Sequence, residues 1–353
     1  ACMTAMMRRR RGLRCFGFDC APLLMNYPKP WKSYSEQLDL LVSRGMAISD
    51  SERALDYLER IGYYRLSGYW FPFRIRLPFC FLDSTGGKPK KPREERIATD
   101  DFKAGATFQD AVDLYVFDKK LRLLALDALE RIEIALRVDV AHTLGRHDAF
   151  AYLKPERFHS EFGAVLDDKT GLTRHHTWVS KHAQLIARSK EDFVRHNKTK
   201  YGLPLAIWVA CEVWDFGTLS TLYNGMPEDE QNAISRQYGV SNGRIFASWL
   251  RSLNHLRNIC AHHSRLWNRN IIDQPKLPPA KELAWVAAFE ANEHARARCF
   301  LLLKIACHLL RVVNPRSTWP DRLKAHLLAF PSLGHLGMNL KGVGAPDGWE
   351  RDW

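Results

Sequence analysis

The densest set of chemically capable side chains lies in Asn254-His-Leu-Arg-Asn-Ile-Cys-Ala-His-His-Ser-Arg-Leu-Trp-Asn-Arg269. Asn258 and His262 are four residues apart, so on a helix they share a face. Arg257 and His262 are five apart, about 140° around the axis, and the long Arg side chain can swing toward the same ligand. Leu250, Leu253, Leu256 and Ile259 already supply a buried stripe for this helix. A histidine on a helix is usually structural, but the crowding of Arg257, Asn258, His262, His263 and Arg265 at one helix end is not needed for packing.

Phosphodiester cleavage in RNA without a metal needs three things. A base takes the 2′-hydroxyl proton, an acid protonates the leaving 5′-oxygen, and a cation stabilises the phosphorane. Histidine serves in either proton role near neutral pH. The planar fork of arginine matches phosphate oxygens. Asn258 can donate to phosphate or orient the imidazole. One chain offers one such set, so two facing copies would supply both proton roles. His263 competes with His262; Asn258 favours His262. A zinc site is a poor fit, because Cys260, His262 and His263 lack a standard spacing and no fourth ligand lies nearby. No phosphate-binding glycine loop, GxGxxG or GxSxG pattern is present.

Three further blocks accompany this one: Tyr63-Tyr-Arg-Leu-Ser-Gly-Tyr-Trp70, Leu129-Glu-Arg-Ile-Glu133 through Arg137, and Pro204 to Trp208 continuing into Phe216-Gly-Thr-Leu-Ser-Thr-Leu-Tyr223. With them in this order, Arg257-Asn258-x-x-x-His262 resembles the Rx4–6H signature of the HEPN superfamily. The wider stretch Leu256 to Arg269 is similar to its Abi (abortive infection) branch. The resemblance runs from about Asn26 to Val313. It implies an all-α HEPN-type helical bundle with additional N-terminal helices and a C-terminal helix. It also implies a metal-independent endoribonuclease with no cofactor, acting in phage defence or as a toxin, with a composite site at a homodimer interface. Some Abi proteins are restrained by a structured non-coding RNA. The alternative is a non-catalytic HEPN-fold RNA-binding module. A DNA-binding regulator is disfavoured, since no helix-turn-helix signature stands out.

Secondary, site-orienting roles fall to Arg131, Glu133 and Arg137, with Glu133 and Arg137 spaced for an i,i+4 ion pair. Arg65 and Tyr69, in a block mixing aromatics with arginines up to Arg76, are candidate RNA contacts, as are Arg265 and Arg269 beyond the histidines. Stacking on aromatics beside cations is a common way to hold unpaired RNA.

The elements that must position these residues are helical by pattern. Helices are predicted from Tyr34 to Gly45, from a Ser49 or Asp50 cap to Ile61, and from Thr107 or Asp110 to about Gly145. Further helices follow at Trp178–Tyr201, Pro204–Trp214, Gly217–Asn224, Glu228–Tyr238, Phe246–His263 and Ala280–Val313. Tyr63–Phe73 reads as helix or extended chain. Leu77–Gly105, rich in Gly, Pro and Lys, reads as a loop or partly disordered insertion, with Lys88–Arg96 a flexible basic run. His147–Trp178 reads as a loop with a short helix or two. Strand signals are nearly absent, and the class is all-α.

The organisation expected is a basic, poorly ordered extension at 1–25, an N-terminal helical and aromatic region at 26–106, the helical core at 107–315 and a Gly- and Pro-rich tail at 316–353. Met25 is read as the opening of the protein-like segment. The 353 residues carry 46% hydrophobic and 26% charged residues, with 11 Trp and 18 Phe, which excludes a disordered chain. A net charge of +13 favours a polyanionic partner. No apolar run reaches a membrane span, so no membrane partner is expected. The eight Cys include no CxxC pair, and Cys211, Cys299 and Cys307 sit in apolar helical runs, so a reducing cytoplasm is the expected location.

Overall fold

The computed structural model describes residues 29–81, 93–351 and 353. The expectations for residues 1–25 and for the Lys88–Pro92 part of the basic run lie outside the described residues.

Ser33 opens α1 (Tyr34–Ser43) with a capping box, the Glu36 carboxylate accepting from the Ser33 amide at 2.7 Å. Asp50 caps α2 (Ser51–Arg60), accepting from the Arg53 amide at 2.9 Å. The aromatic block becomes α3 (Tyr63–Trp70), then a 3-10 turn over Phe71–Phe73 that carries Pro72.

The loop expected at Leu77–Gly105 is corrected where it is described, residues 82–92 lying outside the described residues. β1 (Arg74–Phe81) and β2 (Arg93–Phe102) pair antiparallel, with Arg76 opposite Ala98 and Leu77 opposite Ile97. The ladder is irregular between Arg74 and Arg76. Its base is fixed by the Lys103 amide on the Phe73 carbonyl and the Phe102 amide on the Arg44 carbonyl, each at 2.9 Å. Ile75, Leu77 and Ile97 are exposed, so these positions write no long period-2 apolar pattern. The alternation in β1 is cut at Pro78 and gives little signal.

Thr107 and Asp110 form a second capping box that starts α4 (Phe108–Gly145), as the pattern predicts. This 38-residue helix is the axis of the fold. After α5 (Ser160–Gly163), the Trp178–Tyr201 helix is found in two pieces, α6 (Arg174–Arg188) and α7 (Asp192–Tyr201). The Ile186 carbonyl, which a continuing helix would return to Lys190, accepts instead from Lys198 Nζ at 2.9 Å. The Pro204–Trp214 helix shrinks to α8 (Ile207–Ala210) and a 3-10 turn. α9 (Phe216–Gly225), α10 (Glu228–Gln237) and α11 (Gly243–Ala261) match the expected segments closely.

The long helix expected over Ala280–Val313 is also corrected. It is broken into α12 (Ala287–Glu290), α13 (Glu293–Arg296) and α14 (Cys299–Val313). Local composition favours helix there, but the Ile271 amide takes the Ala297 carbonyl and the Phe300 amide takes the Val343 carbonyl, each at 2.8 Å. The segment at 316–353 is packed rather than trailing. α15 (Trp319–Leu328) buries Trp319, Leu323 and Leu327 at helical spacing. Trp319 Nε1 donates to the Leu124 carbonyl at 2.8 Å, and His326 stacks on Phe117 with centroids 4.4 Å apart.

α3, α8, α9, α11, α14 and α15 all pack on α4. Leu114, Leu121, Leu129 and Ile132 of α4 are fully buried in this contact; each such side chain contributes about 2 kcal/mol by leaving water. Apart from the hairpin, the described residues fold as helices and turns, in keeping with an all-α class. None of these helices is long and apolar enough to cross a membrane.

Candidate active site

α11 carries Asn254, Arg257, Asn258 and Ala261 on one half-buried face, at i, i+3, i+4 and i+7 spacing. The rest of the helix buries Leu250, Leu253, Leu256, Ile259 and Cys260. The half-buried face looks toward α4 and the start of α9. An added Cβ at Gly217 would meet the Asn254 amide atoms at 3.3 Å and Asp215 Oδ1 at 3.4 Å, so Asn254 and Asp215 flank this glycine.

From α4 come Glu133 and Arg137, joined by an ion pair of 2.6 Å. Arg137 also donates to the Trp214 carbonyl at 2.7 Å. Glu133 is largely buried, which raises its carboxyl above the usual range; the positive charges of Arg137 and Arg257 act against the rise. Arg257 is thus close enough to α4 to act on Glu133. Its own guanidinium makes no hydrogen bond or ion pair among the described residues. Asp215 caps α9 through the Thr218 amide at 2.7 Å and takes Lys181 Nζ at 2.9 Å. Burial opposes ionisation of Asp215, but the hydrogen bonds from Lys181 and Thr218 hold its carboxyl below the usual range.

The end of α11 is built by a Schellman motif. The Ser264 amide donates to the Ile259 carbonyl at 3.0 Å and the His263 amide to the Cys260 carbonyl at 3.1 Å. His262 is the exposed C-cap, with its amide on the Asn258 carbonyl at 3.0 Å. His263 occupies the left-handed position where glycine is usual, with φ of 54°. Arg65 Nη1 donates to the His263 carbonyl at 2.8 Å.

Beyond this turn the chain is locked from below. Asp118, fully buried on α4, accepts from the Tyr69 hydroxyl at 2.7 Å, from the Trp267 amide at 2.6 Å and from the Leu266 amide at 3.2 Å. Arg122 pairs with the same carboxylate. Arg265 donates to the Gly68 carbonyl, and Arg269 lies near enough to lower its pKa further, though burial is the main cause.

The structure therefore brings together Arg257, Asn258, His262, His263, Glu133, Arg137, Arg65, Arg265 and Arg269 around one helix end. It places two of the expected residues elsewhere. Arg131 lies about 200° around α4 from Glu133. It donates to Ser317 Oγ at 2.8 Å and pairs with Asp127. Tyr69, 2% exposed, is a core residue and cannot stack on a base. The aromatic block is helical, and Tyr69 falls on its inner face. Cys260 is buried between Arg257 and His262, and burial pushes its thiol up to about 12, so it is no nucleophile. Cys211, Cys299 and Cys307 are buried free thiols, as their runs predict. Sequence reasoning missed Asp118, Asp215 and Asn254. Only the glycine at 217, where Asn254 approaches the backbone, left a trace.

A family model described as Abi-like protein matches residues 56–268, more than half of the chain, and spans α3 through the Arg257–His262 turn. The chain belongs to the Abi-like protein family. Three of the four blocks that carried the resemblance lie wholly within the matched region of this Abi-like protein, and the fourth does so up to Asn268. Membership points to abortive infection, a phage-defence response, in general terms. Neither a search of curated proteins nor one of solved structures returned a match.

Proposed function

We propose that this Abi-like protein is a metal-independent endoribonuclease of the HEPN type, serving phage defence or acting as a toxin, with a site completed by a second copy of the chain. One observation carries the reading. Arg257 makes no hydrogen bond or ion pair among the described residues, and it lies near the exposed His262 at a helix end tied down by α3 and α4. A guanidinium without a protein acceptor keeps its planar fork of donors free to meet a phosphate.

In this mechanism His262 takes the proton of the 2′-hydroxyl and the 2′-oxygen attacks phosphorus. Arg257 donates to the non-bridging oxygens as negative charge builds on the phosphorane. The bond to the 5′-oxygen breaks, and His262 of the second copy supplies the proton that the leaving oxygen takes. The products are a 2′,3′-cyclic phosphate and a 5′-hydroxyl. Asn258 and His263 flank the reacting group, and Glu133 with Arg137 steadies Arg257 from α4.

Purified protein incubated with RNA in excess chelator tests this. The parent chain is expected to cut and leave cyclic phosphate ends, while Arg257→Ala and His262→Ala are expected to lose at least about a hundredfold in rate. A parent that cuts no RNA, variants that cut equally well, or cutting that requires a divalent metal would each sink the proposal.

A further inference from the structure

α3 and the 3-10 turn that follows it expose two aromatic rings on one outer face. Tyr64 is 90% exposed and Phe71 is 44% exposed. They stand seven residues apart, two turns of helix, so they share a face and are separated by about 10 Å along the axis. Gly68 lies between them on that face and projects no side chain. Guanidinium groups lie along this stretch. Arg65, next to Tyr64, donates to the His263 carbonyl at 2.8 Å. Arg265 holds the Gly68 carbonyl. Arg74 and Arg76 lie over the Phe71 ring at 5.6 and 5.9 Å. The row begins at the histidine turn and ends at the base of the β1–β2 hairpin.

We infer that this face is a track for unpaired RNA leading into the Arg257–His262 turn, with Tyr64 and Phe71 as base-stacking platforms and Arg65, Arg76 and Arg265 facing the phosphates. The inference rests on the ribonuclease reading for its substrate. Stacking takes any base, because every base has a π face, and the flanking cations follow the backbone. Paired bases are hidden in a duplex, so the track selects unpaired strands. Its charge matches the +13 excess of the chain. The sequence block mixed six aromatics with its arginines; the fold turns Tyr69 and Trp70 inward and leaves Tyr64 and Phe71 outside.

The test separates binding from cutting. A short, fluorescently labelled, unpaired RNA with 2′-fluoro sugars cannot undergo 2′-oxygen attack, so its affinity is measured without cleavage. Full-length parent, Tyr64→Ala, Tyr64→Phe and Phe71→Leu are compared, with thermal melts to confirm folding. Tyr64→Ala and Phe71→Leu are expected to weaken binding roughly tenfold each, and Tyr64→Phe to bind like the parent. The same sequence as a perfect duplex is expected to bind more weakly. Equal affinity of all variants, or a preference for the duplex, overturns the track. So does absence of RNA binding with self-association that depends on Tyr64, which would assign the face to a second copy. Variant-sensitive binding by a chain that cuts nothing would support the track and defeat the nuclease reading instead.

Discussion

Arg65 Nη1 and the carbonyl of His263 meet at 2.8 Å although the two residues are 198 positions apart. This one bond ties α3 to the residue that reverses the chain after the candidate catalytic histidine. It also uses a carbonyl that the helix end leaves free. Arg65→Ala is expected to cost about 1 kcal/mol in urea unfolding and to speed amide exchange at Ser264 and Leu266. Unchanged exchange there would show that the turn holds itself.

His263 in the left-handed region costs about 1 kcal/mol relative to glycine. His263→Gly is therefore expected to raise the melting temperature, and His263→Ala to leave it near the parent value. The same pair separates the two histidines. If cutting survives both substitutions and is lost in His262→Ala, His262 is the proton-transfer residue; loss in His263→Gly would reverse the roles.

Asp118 serves four donors from three segments. Asp118→Asn removes the charge that Arg122 faces in the core, and an expected loss of about 3 kcal/mol follows from leaving one buried ion unpaired. Asp118→Asn combined with Arg122→Met is expected to be less damaging than the sum of the single changes. Additive effects in denaturant titrations would refute the shared network.

Acid is expected to destabilise the fold through His182. Its Nδ1 accepts from Trp214 Nε1 at 2.9 Å, its ring is stacked on Trp178, and burial pushes its pKa down to about 4. The folded state holds the neutral ring, so the stability it brings is complete above the ordinary pKa of 6.5 and is lost as the pH falls toward 4. The loss attributable to this group reaches about 3 kcal/mol. His182→Gln should flatten the pH dependence of the urea midpoint between those limits; an unchanged slope contradicts the assignment.

A site shared by two copies makes specific activity depend on protein concentration. Dilution below the dissociation constant is expected to lower the rate per chain, and the loss should reverse on concentrating. Constant activity per chain, with a monomer of 40.7 kDa seen by light scattering, would exclude the shared site.

The sequence by itself determined the helical class, the starts of α1, α2 and α4 to within a few residues, and the placement of Arg257, Asn258 and His262 on α11. These follow from local rules: hydrogen-bonding side chains at helix starts, apolar residues at three- and four-residue steps, and the angle each residue subtends on one helix. Tertiary structure decided the rest. It paired β1 with β2, a hairpin whose Ile75, Leu77 and Ile97 are exposed and so leave no long period-2 pattern in the sequence. It broke the Ala280–Val313 segment where backbone groups found partners at Ile271 and Val343. It folded the 316–353 segment onto α4. It turned Tyr69 into the core beside Asp118 and left Tyr64 outside, and it sent Arg131 toward Ser317 while Glu133 faced Arg257. Each of these depends on which surfaces a helix presents to partners far along the chain. Spacing within one helix fixes the angle between two residues and leaves open which of them meets the core.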